Sequence, residues 1–197
     1  MNFTRSKNSP KPRARLALVL MVVFAVGAAA FFTNQVLAGT LEIRVKDHRE
    51  AISDFSKLEI IVDALRISPK SGLKFWQMGW KELSPSSTQV DLTQYTGTRS
   101  AVIFSGAVND GAFEGVLLKL KNIEGVLKRG KLSVPVKNLV DPIEAAFSVS
   151  AKHKTQIILD FVVLDVSDHP PAGYELRLKG YELYTDGKLM AKVPPRG

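Results

Sequence analysis

Residues Thr155 to Val166 read TQIILDFVVLDV, an apolar run that only Asp160 and Asp165 interrupt. A short run of this kind, rich in β-branched side chains and bounded by turn residues, is typical of a buried strand. We therefore predict that it forms the central strand of a β domain. The two aspartates are five residues apart, so on a strand their side chains lie on opposite faces.

The segments around this run alternate between apolar and polar residues with a period of two, which predicts half-buried strands. They are Leu41–Val45, Leu58–Ile67, Phe113–Ile123, Tyr174–Leu183 and Lys188–Val193. Changes of parity within Leu58–Ile67 and at Gly180 predict β-bulges. Asp186-Gly187 is a two-residue hairpin signal, and Gly130 is expected at positive φ in a second hairpin.

Nine or ten short strands, turn signals every 8–12 residues and no helical pattern after residue 39 predict an all-β fold. We expect an antiparallel β-sandwich, either immunoglobulin-like or transthyretin-like. Residues 39–197 suffice for one such domain. A polar loop follows Asp47, and we expect one helical turn near Glu50 to Phe55.

An apolar segment, Leu16 to Ala38, precedes this domain, and residues 16–32 of it carry no charge. At about 1.5 Å per residue, its 23 residues span about 35 Å as a helix, against a hydrocarbon core of about 30 Å. We predict one transmembrane signal-anchor helix over residues 16–38, with apolar side chains that include Leu16, Phe24, Phe31 and Phe32.

Residues 1–15 form a basic tail with no acidic residue. The topology signal consists of Arg5, Lys7, Lys11, Arg13 and Arg15. Positive residues beside an apolar run stay in the cytoplasm, so we expect the domain in the periplasm or outside the cell, anchored by a single pass in the inner or plasma membrane. Val36-Leu37-Ala38 is also an acceptable signal-peptidase site, and cleavage after Ala38 would make the domain a secreted protein.

The composition excludes several kinds of site. The absence of cysteine excludes disulfides, thiolate metal sites and a lipidated cysteine. The net charge of +8 comes largely from the tail; without its five cations, 22 basic residues face 19 acidic ones. A nucleic-acid binder would carry a concentrated basic face, so we expect no nucleic-acid partner.

The pattern of chemistry-bearing residues does not predict catalysis. His48, His153 and His169 have no metal-ligand spacing, and no G-x-S-x-G motif is present. Asp160 and Asp165 point to opposite faces and do not form a glycosidase-like pair. We therefore expect no catalytic residue, no metal and no cofactor, and we interpret the histidines as solvated loop residues.

The segment Phe75-Trp76-Gln77-Met78-Gly79-Trp80 contains both tryptophans of the chain. Phe75, Trp76, Met78 and Trp80 are the candidate interface. They either cover an open end of the core or form an exposed surface for a protein, a lipid headgroup layer or a sugar face. A basic set, Lys128, Arg129 and Lys131, is either a solvated hairpin tip or a contact for anionic lipid or an acidic partner.

Six segments resemble an exported prokaryotic family, the domain-of-unknown-function family forty-three eighty-two. They are LEIRVKD (41–47), FSKLEIIVDALRISP (55–69), GWKEL (79–83), VDLTQY (90–95), LKRGKLSVPVKN (127–138) and TQIILDFVVLDV with Asp160. The resemblance covers about Thr40 to Leu183. It implies an exported sandwich domain, often held by a lipidated cysteine, and it brings no activity or catalytic residue. In this chain the apolar segment is the expected replacement anchor.

Taken together, these features predict a non-enzymatic, membrane-anchored extracytoplasmic protein. We expect an accessory or structural subunit whose partners are the lipid bilayer and a larger membrane protein complex. The alternative is a carbohydrate- or ligand-binding module at the cell surface, with Trp76 and Trp80 as stacking platforms.

Overall fold

The strands of this chain follow the periodicity of its sequence. A computed structural model describes residues 37–70, 79–168 and 173–193, and in these residues the chain forms eleven strands and two 3₁₀ turns, which confirms the all-β prediction. The strands are β1 (Ala38–Asp47), β2 (Phe55–Pro69), β3 (Lys81–Leu83), β4 (Gln89–Asp91), β5 (Ala101–Asn109), β6 (Gly111–Leu127), β7 (Ser133–Leu139), β8 (Ile143–Val149), β9 (Lys154–Asp165), β10 (Tyr174–Thr185) and β11 (Lys188–Val193). The 3₁₀ turns are Ala51–Asp54, where a helical turn was expected, and Leu92–Gln94.

Strand β9 is central, as its apolar run predicts. It lies between β1 and β10 in the sheet. Ile157, Leu159 and Phe161 belong to the hydrophobic core, and Ile158 and Val162 on the opposite face are also buried. Burial on both faces explains why apolar residues run almost without interruption along this strand.

Two strand pairs are parallel, and here the expectation of antiparallel pairing is wrong. β1 runs parallel to β9, with Thr40 opposite Lys154, and β10 runs parallel to β7, with Tyr174 opposite Val136. All other pairs of named strands in the described part of the chain are antiparallel. Period-two alternation shows which face of a strand is buried, but not the direction of its neighbour.

Strand β7 joins two groups of strands. It pairs with β6 through Ser133–Pro135 and then with β10 from Val136 onward. Proline has no backbone N–H to donate, so Pro135 marks the residue at which pairing with β6 ends. One group comprises β1, β5, β9, β10 and β11, and the other comprises β2, β3, β4, β6 and β8.

Both groups contribute to one hydrophobic core. Its fully buried side chains include Leu41 and Ile43 of β1, Leu58 and Ile60 of β2, and Phe161 of β9. The predicted bulges are confirmed: pairing of β2 with β6 shifts register on both sides of Val62, and pairing of β10 with β9 shifts between Leu178 and Gly180.

The turns gather at two ends of the domain. At the near end, where the chain enters at Leu37, the backbone of Leu37 accepts a hydrogen bond from Asp110, and the β8–β9 and β10–β11 turns lie alongside. At the far end, Asp47 donates its backbone N–H to Tyr95 O, and Lys128 of the β6–β7 hairpin donates to Asp54 O. The ten residues of β1 separate these ends by about 30 Å.

The hairpin turns at the two ends have the predicted glycine geometry, with Gly130 at φ 73° and Gly187 at φ 79°.

Residues 16–36 of the predicted anchor lie outside the described residues. Within the described ranges, no helix has the length and apolar character that a membrane span requires.

Candidate functional site

The far end contains a cavity of about 210 Å³, which we call the aspartate cavity. Its lining residues are Lys46, Asp47, His48, Arg49, Gly97, Asp160 and Lys192. Polar and charged groups dominate this lining, in contrast to the apolar core beneath it.

The parallel register of β1 and β9 brings its two aspartates together. Lys46 lies beside Asp160, and Asp47, the last residue of β1, lies beside Phe161. Asp47 has no exposed surface. Its Oδ1 accepts the backbone N–H of Arg49 at 2.8 Å, whereas its Oδ2 has no hydrogen-bond partner among the described residues.

Asp160 is nine-tenths buried and also has one oxygen without a partner. Its Oδ2 lies 3.1 Å from His48 Nδ1 and 3.9 Å from Lys46 Nζ, while its Oδ1 makes no hydrogen bond within the described residues. Buried polar atoms are nearly always hydrogen-bonded, because leaving one unpaired costs about 1–3 kcal/mol. Two residues of this lining thus each keep one buried carboxylate oxygen without a partner among the described residues.

Burial changes the protonation of Asp47. It raises the pKa of this carboxyl from 3.8 to about 6, and the nearby charge of Asp160 acts in the same direction, while the hydrogen bond from the Arg49 N–H opposes the change. At neutral pH Asp47 is mostly a carboxylate, and thus an acceptor.

Two ammonium groups are fixed beside these carboxylates. Nζ of Lys46 and Nζ of Lys192 each lie 3.0 Å from Oε1 of Glu182, and the Tyr184 hydroxyl donates to Oε2 at 2.9 Å. Burial alone would raise the pKa of Glu182, but these three hydrogen bonds together lower it to about 2. The lining of the cavity thus contains carboxylates and two ammonium groups, and Glu182 forms an ion pair with each of these ammonium groups.

Arg49 lines both the aspartate cavity and a second cavity. This residue has φ 72°, which is rare for a side chain with a Cβ, and its guanidinium lies against Gly97, where a Cβ would overlap it. In the described part of the chain no acidic group lies within ion-pair distance of Arg49.

The second cavity, of about 510 Å³, is here called the hydroxyl cavity. Besides Arg49 it is lined by Ile52, Ser53, Phe55, Ser56, Thr93, Gln94, Thr96 and Lys128.

The described histidines and acidic residues form pairs and not larger groups. Among the described residues no three His, Cys, Asp or Glu side chains are grouped so that they could hold a metal ion. His48 hydrogen-bonds to Asp160, and His153 to Asp186 at 2.6 Å. Neither imidazole makes a hydrogen bond to a hydroxyl group in the described ranges, so neither activates a nucleophile there.

Comparison with protein-family models identifies the domain. A model described as "Domain of unknown function (DUF4382)" matches residues 38–177. The chain belongs to this family. The match confirms the family resemblance and contains Asp47, Arg49, Gly97 and Asp160, whereas Lys192 lies beyond it. A search of curated proteins found no match, and a search of solved structures also found none.

One residue of the candidate aromatic interface is described in this DUF4382 domain. Trp80 is half-buried, and a Cβ on Gly115 would lie 3.2 Å from Cη2 of its indole. Gly115 pairs with Ser68, which follows the core residue Ile67 and so faces away from the core. Trp80 therefore packs on the outer face of the sheet. Phe75, Trp76 and Met78 lie outside the described residues.

Other sequence-based candidates have different outcomes in the DUF4382 domain. Of the basic set, Lys128, Arg129 and Lys131 are all exposed at the far end, and Lys128 lines the hydroxyl cavity. His48 and His153 are exposed, as expected of solvated loop residues, and each also bonds an aspartate. His169 lies outside the described residues. So do the predicted anchor and topology residues Leu16, Phe24, Phe31, Phe32, Arg5, Lys7, Lys11, Arg13 and Arg15.

Sequence analysis missed Arg49 and Gly97. The only local signal was Asp47, which lies at the end of a strand and two residues before Arg49. An aspartate at such a position commonly accepts the backbone N–H of the residue two positions later. Nothing in the sequence indicated that the Arg49 guanidinium would lie against Gly97, 48 positions later.

Proposed function

We propose that this DUF4382 domain is a non-enzymatic, extracytoplasmic binding module for a carbohydrate, held at the membrane by the segment Leu16–Ala38. The observation that carries the proposal is a pair of aspartates, Asp47 and Asp160, in the lining of one cavity, each with one buried carboxylate oxygen that has no partner among the described residues.

A sugar supplies the groups that this cavity lacks. Each sugar hydroxyl is both a donor and an acceptor. Neighbouring hydroxyls would donate to carboxyl groups of the lining while they accept from the ammonium groups of Lys46 and Lys192. At about 30 Å³ per water molecule, the cavity holds about seven waters, which is room for one sugar ring.

We assign Asp47 to binding and not to catalysis. A pKa near 6 would suit a general base. However, Oδ1 of Asp47 already accepts a hydrogen bond from the backbone N–H of Arg49, and within the described residues no nucleophile contacts the carboxyl. A buried acceptor is the simpler role for this geometry.

A second function, as an accessory subunit of a larger membrane complex, is favoured by strand β11. Among the described strands β11 pairs only with β10, and Leu189, Met190 and Val193 on it are 48%, 58% and 40% exposed. An edge strand with exposed apolar residues can take up a strand of another protein. Leu189→Lys with Val193→Lys would then release the protein from a complex isolated in mild detergent, while Asp160→Asn would not.

We also propose that the two strand groups around one core form the expected sandwich, immunoglobulin-like or transthyretin-like.

The mass of the mature protein distinguishes a retained membrane anchor from a signal peptide that is cleaved after Ala38. A chain that begins at Met1 or Asn2 and stays with carbonate-washed membranes has an anchor, whereas one that begins at Gly39 is secreted.

The binding proposal is tested by glycan-array screening of the full chain in detergent micelles. We expect binding that Asp160→Asn reduces at least tenfold, because one of the unpaired oxygens is lost. Trp80→Ala is the matched control, since Trp80 packs on the other strand group and should leave binding intact. Thermal melts of all variants report folding. Silence across the array, or equal binding by Asp160→Asn, would refute the proposal.

A further inference from the structure

The two far-end cavities share Arg49 in their linings and are therefore neighbours. We propose that the hydroxyl cavity is an oxyanion subsite and that the ligand is an acidic saccharide, whose charged group binds Arg49 and Lys128. This inference rests on the proposed carbohydrate-binding function and narrows its ligand class.

Both cations of the hydroxyl cavity lack an acidic partner among the described residues, because the neighbouring acids are engaged elsewhere. Glu50 pairs with Lys179 at 2.5 Å. Asp54 accepts from the Tyr174 hydroxyl at 3.4 Å, and Asp91 accepts from Thr93 and from the backbone of Leu58. Two uncompensated positive charges at one concave surface favour an anion, and a planar guanidinium matches a carboxylate or phosphate in two-point geometry.

The arginine is held in place before any ligand arrives. Its backbone lies in the left-handed region, which costs free energy in a residue with a Cβ. Asp47 Oδ1 accepts its N–H and so stabilises this conformation, and Gly97 leaves room for its guanidinium. A backbone restricted in this way loses less entropy when the residue binds.

Asp47 also links the two cavities. Its Oδ1 holds the Arg49 backbone, and the residue itself is part of the lining of the aspartate cavity. One buried carboxylate thus positions the backbone of the arginine that both linings share.

The remaining lining suits a sugar ring that carries the charge. Ile52 and Phe55, with 6% and 1% exposure, form an apolar floor, and a sugar ring presents C–H groups on its faces. Ser53, Thr93 and Thr96, which carry hydroxyl groups, also line this cavity. The cavities measure about 210 and 510 Å³, so together they accommodate two or more sugar units.

The test compares three probes on the full chain in detergent micelles by isothermal titration calorimetry. Trigalacturonate carries carboxylates, its methyl ester has the same sugars without charge, and galactose 6-phosphate carries a phosphate. We expect trigalacturonate or the sugar phosphate to bind at least tenfold more tightly than the methyl ester. Arg49→Gln should abolish this preference, whereas Arg129→Gln, beside Lys128 at the tip of the β6–β7 hairpin but outside the cavity lining, should retain it.

The outcomes separate the inference from the function on which it rests. Preference for trigalacturonate or for the sugar phosphate supports the oxyanion subsite and identifies the charged group. Equal binding of trigalacturonate and its ester, unchanged by Arg49→Gln, overturns the subsite and leaves carbohydrate binding in place. Failure of all three probes overturns both.

Discussion

Lys46 of β1 and Glu182 of β10 form an ion pair across the strand between them, with 3.0 Å from Nζ to Oε1. Glu182 directly opposes Ile158 of β9, so the pair lies on the outer face of the central strand. Both charged residues are more than nine-tenths buried. The outer face of this sheet is therefore covered by paired charges as well as by apolar groups.

Replacing Glu182 should destabilise the fold. In Glu182→Gln the ammonium groups of Lys46 and Lys192 lose their shared carboxylate, and we expect a loss of about 2–4 kcal/mol, near the range for breaking a buried ion pair. The pKa of Glu182 is lowered from 4.5 to about 2, so its stabilisation is complete above pH 4.5 and is lost as the pH falls toward 2. Urea unfolding at pH 7 and pH 3 should show the two proteins converging in acid; a constant difference would contradict this.

Asp47→Asn should stabilise the protein at neutral pH. The folded pKa of about 6 exceeds 3.8, so the folded state binds more protons than the unfolded chain between these values, and stability falls as the pH rises through this window. Above pH 6 the ionised carboxyl costs up to about 3 kcal/mol, which an asparagine avoids while it still accepts the Arg49 N–H. Unfolding at pH 4 and pH 7.5 should show the gain only at the higher pH. The exposed control Asp141→Asn should show no such trend.

Gly97→Ala should damage both the fold and the site. Gly97 has φ 68°, and a Cβ there would overlap the Arg49 guanidinium. Gly187→Ala is the matched control, because Gly187 has φ 79° with no atom near its Cβ position. Both variants should lose about 1 kcal/mol from backbone strain. Only Gly97→Ala should lose the preference for acidic saccharides in calorimetry; equal effects on binding would contradict the position assigned to Arg49.

Gly125→Ala tests the packing of the core. A Cβ at Gly125 would lie 2.7 Å from Cε1 of Phe55 and 3.0 Å from Cγ2 of Val136, so we expect an overpacking cost of about 1–3 kcal/mol. At Gly111 the nearest atom, Cε2 of Phe113, would be 3.8 Å away, and Gly111→Ala should change the unfolding free energy far less. Chemical denaturation of both variants is the measurement. Similar unfolding midpoints would show that β6 can move away from Phe55.

Local features of the fold were predictable because they depend on neighbours in sequence. The apolar run of β9, the parity change at Gly180 and the Asp186-Gly187 turn all gave the correct local structure. The parallel pairing of β1 with β9 was not predicted, since it depends on which distant strands meet. The almost continuous apolar run of β9 was a signal for such a strand, since parallel strands are commonly buried on both faces.

The candidate site was less predictable than the fold. Asp47 and Asp160 stood in the segments that carry the family resemblance, but Asp160 was interpreted only by the face of its own strand. Their shared cavity follows from the β1–β9 register. The position of Arg49 depends on Gly97, in a loop that has no periodicity to analyse.

The β1–β9 pairing also determines the order in which the chain can fold. Thr40 meets Lys154, a residue 114 positions later, so this ladder must wait until most of the domain has been synthesised. Contacts between such distant residues form slowly, because a long loop must close first. Until β9 arrives, β1 presents an unpaired edge to other chains, and a nascent or truncated polypeptide is at its most vulnerable to aggregation during that interval.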